Sequence, residues 1–224
     1  MTQNEFVTFI TKKLDSLKDI PGETLYSALS TLKKGDIYLM GTNPGGSDNY
    51  LLSEDLEKLK SKKTNGYLDE EWETGKGKAK AGEGFLQKRV QKLISEIGYD
   101  LREVCASNLI FTKSVSLETL GYSFNDIADR CWNVHEEILK IVEPKIIIVF
   151  GNSESKSPYA YMKRKYNIKK DEIDSIKNYY KYNAKSFTFE LNGRKTHVVG
   201  LPHLSRFAIK NNEIYPWIQN KIKS

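Results

Sequence analysis

Pro144-Lys145-Ile146-Ile147-Ile148-Val149-Phe150-Gly151 is the stretch whose reading decides the fold. Five consecutive apolar residues between a proline and a glycine are too few for a helix and show no alternation, so they read as a strand buried on both faces. Strands of that kind belong to parallel sheets covered by helices on either side. Just upstream, Ile127, Cys131, Val134, Ile138 and Ile141 recur at spacings of three and four. That stripe predicts an amphipathic helix stopped by Pro144.

Working outward, the same alternation recurs. Phe6, Phe9, Ile10, Leu14 and Leu17 predict a helix ending before Pro21-Gly22, and residues 23–34 predict a second short helix. Gly35-Asp36 breaks that pattern, and Ile37-Tyr38-Leu39-Met40 reads as a buried strand running into Gly41-Thr42-Asn43-Pro44-Gly45-Gly46-Ser47. Residues 47–84 are polar and rich in Lys and Gly, anchored by Tyr50, Tyr67 and Trp72, and predict a long surface excursion. Leu86, Val90, Leu93, Ile94 and Ile97 form a helical stripe closed by Gly98, after which residues 104–111 supply another strand. Residues 154–185 read as a basic, tyrosine-rich helical insertion. Residues 186–191, Asn192-Gly193 and residues 195–201 read as a hairpin whose last strand ends at Pro202-His203-Leu204-Ser205. The expectation is an α/β protein of one domain, residues 1–224. It is a three-layer α/β/α arrangement with a mostly parallel central sheet of about four strands and a peripheral insertion at 154–192. Ligands of such sheets bind at the carboxyl ends of the strands.

The chain has 224 residues, 39% hydrophobic and 29% charged, an ordinary globular balance. Its longest apolar run falls far short of the roughly 20 residues that span a bilayer, and its polar start carries no signal-peptide core, so a cytoplasmic protein is expected. Cys105 and Cys131 form no CxxC pair and predict buried thiols, with no disulfide framework and no four-thiolate metal site. The net charge of +6 comes from clusters at residues 60–63 and 163–165 and from Lys76, Lys78 and Lys80. Such a surface favours a polyanionic partner only weakly, because a lysine-rich surface is more often a solvated face.

Three strand ends could carry chemistry. Gly41–Gly46 is glycine-rich but lacks the Lys-Ser/Thr of a phosphate-cradling loop and the spacing of a dinucleotide site. A tight turn is its plain reading. Asn108 ends the second strand and offers both a donor and an acceptor, which suits the Watson–Crick edge of a pyrimidine; it could equally cap the chain. His203 ends the last strand and can hydrogen-bond a developing anion, or simply be a satisfied histidine beside Pro202.

In order and spacing these segments resemble the uracil-DNA glycosylase superfamily. Gly41-Thr42-Asn43-Pro44-Gly45 resembles the first active-site motif of its mismatch-specific and single-strand-selective branches, which carry Asn where the most active uracil enzymes carry Asp. Pro202-His203-Leu204-Ser205-Arg206 resembles the second motif, with Leu204 in place of the usual proline. Gly84-Phe85 through Asn108 is similar to the superfamily's aromatic, helix and asparagine-bearing strand, and Pro144–Gly151 to its third strand. The resemblance covers residues 35–151 and 195–210. The two cysteines cannot supply the four ligands of the iron–sulfur branches, so no cluster and no other cofactor is implied.

The resemblance implies a base-excision hydrolase, acting as a monomer on single- or double-stranded DNA, that flips a base and hydrolyses its N-glycosidic bond. The Asn43 carbonyl would position the water, Phe85 would stack on the flipped base and Asn108 would read its edge. His203 would donate to the leaving oxygen, while Gly41, Thr42, Pro44 and Gly45 line the base site. Gly45 stands where the most uracil-restricted members place a Tyr, which leaves room at the base's 5-position. Leu204, Ser205, Arg206 and Phe207 are candidates to contact DNA, and Leu204, Arg206 and Phe207 to fill the vacated stack, with ordinary packing as the alternative. Two rivals stand beside this reading: a non-catalytic nucleic-acid-binding module, and a hydrolase of free nucleosides or nucleotides.

Overall fold

The computed structural model describes residues 1–46, 49–74, 77–114, 123–180 and 182–224. The first helix, α1 (Gln3–Lys13), is capped by Thr2 and continues through a 3-10 turn at Asp15–Leu17, burying Phe6, Ile10, Leu14 and Leu17. In chain order there follow β1 (Ile37–Gly41), α2 (Leu52–Leu59), β2 (Trp72–Thr74), β3 (Gly77–Ala79), α3 (Phe85–Glu96), β4 (Cys105–Asn108), α4 (Phe124–Val142) and β5 (Ile146–Phe150). The last elements are α5 (Pro158–Lys165), β6 (Asp174–Tyr179), β7 (Tyr182–Leu191), β8 (Arg194–Leu201) and α6 (Ile214–Lys223).

The main sheet has the order β4-β1-β5-β8-β7-β6. Its first four strands are parallel, and β7 and β6 extend it antiparallel. The sheet therefore has six strands rather than about four. The parallel part is the one that the apolar runs predicted; the added strands come from the 154–192 segment.

Both faces of the parallel strands are buried, which is why β5 is apolar throughout. Tyr38, Met40, Ile147, Val149 and Val198 face α1, α2, α4 and α5. Their neighbours Ile37, Leu39, Ile146, Ile148, Phe150 and Val199 face α3 and α6. Alternation along each strand thus feeds two cores, giving the three layers.

The predicted stripes of α3 and α4 are buried as expected, except that Leu86 and Ile141 are only half-buried. Ser123 caps α4 by accepting from the Asp126 N–H at 3.2 Å. Gly98, at φ 87°, lets the chain turn after α3 in a conformation that a Cβ would strain.

Three local expectations are overturned. Residues 23–34 form no α-helix. The chain runs extended beside β4, with Tyr26 N–H donating to the Ala106 carbonyl at 2.8 Å and Glu23 N–H to that of Phe111 at 2.9 Å. Covering the open edge of a strand outweighs the weak local helix preference. The 154–185 segment is helical only in α5 and a 3-10 turn at Lys170–Glu172 and then turns into β6 and β7, where its tyrosines suit a pleated surface. The 47–84 segment is no bare excursion. It contains α2 and the β2–β3 hairpin, and it buries Tyr67, whose ring lies 5.6 Å from those of both Tyr26 and Trp72.

Candidate active site

The carboxyl ends of β4, β1, β5 and β8 form one edge, and cross-links hold them together. Gly41 is the register partner of Asn108. Leu109 and Ile110 N–H groups donate to the Gly41 and Thr42 carbonyls at 2.9 and 3.0 Å. The Thr42 hydroxyl donates to the Phe150 carbonyl at 3.1 Å, so it braces two strand ends. Gly151 N–H donates to the Leu201 carbonyl at 2.9 Å. With strands about 4.8 Å apart, β1 and β8 stand about 10 Å from one another, room for a base and its sugar between Asn43 and His203.

Asn43 is oriented by donation from Nδ2 to the Pro44 carbonyl and to the Ser114 hydroxyl, each at 2.9 Å. Its Oδ1 has no hydrogen bond among the described residues and is available to a water. Among the described residues, nothing lies within 4 Å of where a Cβ of Gly45 would stand.

Asn108 is 4% exposed, and its Nδ2 has no hydrogen-bond partner among the described residues. The Tyr26 hydroxyl lies close enough for Asn108 to influence it, without completing a hydrogen bond to that nitrogen. Burial, with Glu23 and Tyr67 nearby, pushes the Tyr26 phenol well above its ordinary range. Other unpartnered buried polar atoms sit on Thr112, Trp132 and Tyr159. Asn108 is the one at the carboxyl end of a strand. An orphaned buried amide costs about 1–3 kcal/mol, a standing cost that a ligand acceptor would remove.

Beneath Asn108 runs a buried polar chain. The Tyr38 hydroxyl meets the Ser107 hydroxyl at 2.6 Å and His135 Nδ1 at 2.9 Å. His135 Nε2 meets the Leu109 carbonyl at 3.0 Å. A carbonyl can only accept, so Nε2 carries the proton and Nδ1 accepts from Tyr38. The residues on either side of Asn108 are thereby pinned to β1 and α4.

His203 is half-buried. Its Nδ1 lies 3.3 Å from the Ser205 N–H and 2.8 Å from the Ser205 hydroxyl. A backbone N–H can only donate, so Nδ1 accepts and the neutral ring carries its proton on Nε2. Burial, then the nearby Arg206 charge, lowers the His203 pKa below the usual histidine value. The group is a neutral donor.

The structure corrects the assignment of Leu204. It is 1% exposed and packs in the core against α3 and α6, so it cannot enter a base stack. Ser205 and Arg206 are exposed, while Phe207 is half-buried against the Tyr182 ring, 4.2 Å away. Phe85 is 67% exposed at the start of α3. One turn later, Arg89 lies 5.9 Å from the Phe85 ring and donates to the Leu204 carbonyl at 2.5 Å, which joins α3 to the His203 loop. Arg89, Tyr26, Ser114 and His135 were missed. Only Arg89 left a signal, its spacing of four from Phe85.

The basic clusters are partly self-neutralised. Lys62 is enclosed with Glu23 at 2.7 Å, Lys78 pairs with Glu71 at 2.9 Å and Lys163 with Glu154 at 3.5 Å. Lys76 lies outside the described residues. Both cysteines are free and buried, which pushes each thiol up to about 12. Among the described residues no three His, Cys, Asp or Glu side chains gather as a metal site, and no helix is long and apolar enough to cross a membrane. A cavity of about 540 Å³ opens at the opposite, amino-terminal edge of the strands, lined by Lys34, Asp36, Lys145 and Arg194 among others. Those cations are paired with Glu143 or Asp36, so it holds less unmet polarity than the carboxyl edge.

No family model and no curated protein matches this chain. Fold and site define it as a three-layer α/β/α protein with two asparagines and a neutral histidine on one strand edge.

Proposed function

We propose that this chain is a DNA glycosylase that hydrolyses the N-glycosidic bond of a flipped uracil or of a modified or mismatched base. The observation that carries the reading is the buried, unpartnered amide of Asn108, on the same edge as a neutral His203 and a carbonyl of Asn43 open to water. Cleavage leaves an oxocarbenium-like sugar and an anionic base. His203 Nε2–H donates to the base oxygen as charge develops, the Asn108 amide holds the base edge, and Asn43 Oδ1 orients water toward C1′. Phe85 offers a stacking face. The open space at Gly45 supports tolerance of 5-substituted uracils.

The test is base release from single- and double-stranded oligonucleotides carrying uracil, 5-hydroxymethyluracil, hypoxanthine or a mismatched thymine. Release of at least one base is expected. Binding without release from any of them would replace this reading with the non-catalytic binding module, and turnover of free nucleosides alone would make the chain a nucleoside hydrolase.

Two variants sharpen it. Asn43→Asp supplies a carboxylate that can take up a proton, and should release base about tenfold faster or more. The oxygen replacing Nδ2 would face the Pro44 carbonyl, so this variant should also lose about 1 kcal/mol of stability by urea titration. A variant no faster than wild type removes Asn43 from the water-positioning role. In Gly41→Ala the new Cβ would stand 2.0 Å from Asn108 Oδ1 and must push that side chain aside. Misplacement of about 1 Å costs on the order of 100-fold, so release should fall by that factor with near-wild-type circular dichroism.

A further inference from the structure

With Leu204 buried, the gap left by an extruded base must be filled from elsewhere. Exposed large apolar side chains among the described residues are Met1, Phe85, Tyr179 and Tyr180. The two tyrosines form the tip of the β6–β7 hairpin, 47% and 75% exposed, their rings edge to face with centroids 4.4 Å apart. Tyr180 has φ 49°, a left-handed conformation strained for a bulky side chain.

The hairpin runs past the carboxyl end of β8, toward the loop that follows His203. Lys185 pairs with Gly200, so Tyr182 stands three residues, about 10 Å, past the level of Gly200, on the side where the chain leaves β8 for His203. The tip is also tied to that loop. Tyr182 packs on Phe207, the Asn178 amide donates to the Ala208 carbonyl at 3.2 Å, and its oxygen accepts from Lys210 N–H at 2.7 Å. Asn211 Nδ2 donates back to the Lys177 carbonyl at 2.7 Å. Around the tip, Lys177, Arg206 and Lys210 are exposed and make no ion pair among the described residues. Exposed aromatic faces set among free cations are the composition that binds nucleic-acid bases and their phosphates.

We infer that the Tyr179–Tyr180 tip stacks on the DNA bases flanking the nucleotide held at the strand edge, an assignment that rests on the glycosylase reading of that edge. Lys177, Arg206 and Lys210 hold the adjoining phosphates. The tip thus occupies the role that the sequence offered to Leu204.

The test uses a duplex with a tetrahydrofuran abasic analogue and 2-aminopurine as its neighbour, so that binding is read without base release. Wild type should bind and change the 2-aminopurine fluorescence. The Tyr179→Ala, Tyr180→Ala double variant should bind about tenfold more weakly or worse and lose that change, whereas Tyr179→Phe, Tyr180→Phe should keep both. An alanine variant that binds and responds like wild type overturns the role of the tip and leaves the base-release assay untouched. Wild type that binds no oligonucleotide overturns both readings. Loss in the phenylalanine variant as well overturns stacking in favour of hydroxyl contacts. A wild-type dimer abolished by the alanine change, with DNA binding intact, makes the tip a contact between copies and overturns the inference.

Discussion

Single-turnover base release by His203→Ala should run about 100- to 1000-fold slower than by wild type, the usual effect of removing one donor aimed at a developing anion. The loss should fall on the chemical step and leave oligonucleotide affinity nearly unchanged, because the donor is needed only as charge builds up. The fold should survive. His203 is half-buried and its ring contacts Ser205 within the same loop, while the Arg206 and Phe207 N–H bonds to its carbonyl, 2.9 and 3.0 Å, do not depend on the ring. Because Nδ1 accepts from Ser205 and the pKa is lowered, wild-type release should hold level through the ordinary histidine range as pH falls. It should drop only at lower pH, where a proton on Nδ1 displaces Ser205. Undiminished release by His203→Ala would remove the histidine from the mechanism.

His135 should contribute strongly to the acid sensitivity of the fold. It is wholly buried, and burial lowers its pKa to about 4 despite its bond to Leu109. Between about 4 and the unfolded value near 6.5 the unfolded chain binds a proton that the folded chain refuses, so stability falls as pH falls through that window. At 1.36 kcal/mol per unit the full effect is about 3 kcal/mol. His197, lowered to about 4 by burial and by the Lys195 and Lys221 charges, acts in the same window, while Glu23, which burial pushes up to about 7, runs the opposite way, stabilising least at high pH, so a wild-type profile mixes all three. A His135→Leu variant separates them. At pH 7.5 it should lose about 3 kcal/mol, because the Leu109 carbonyl is left without its His135 donor and the Tyr38 hydroxyl keeps only Ser107. The wild-type advantage should then shrink toward pH 4, read by urea titration at each pH. An advantage independent of pH would show that His135 does not stay neutral in the fold.

Much of the architecture was legible because burial of a face writes itself into periodicity. The unbroken run Ile146–Phe150 announced a strand covered on both sides, and the stripes of α1, α3 and α4 announced the covering layers. Once those strands run parallel, Asn43, Asn108 and His203 must fall on one edge, since each lies at or just past the end of its strand. The Tyr- and Lys-rich residues 154–185 were read as helix because isolated basic and aromatic residues fit either period; pairing with β8 settled them as strands. Residues 23–34 were misread for a like reason, since the pull came from the bare edge of β4, about 80 residues away in sequence.

The sequence by itself determined the layers, the parallel strands and the residue types at their ends. Tertiary structure alone decided that Leu204 is core, that the Asn108 amide is left unpartnered opposite Gly41, that His203 carries its proton on Nε2, and that Tyr179 and Tyr180 stand exposed at the end of the β6–β7 hairpin. The physical reason is one of range. A periodic pattern records which face of an element leaves water, whereas a side chain's hydrogen-bond partners, proton and exposure depend on atoms that only the folded chain brings near.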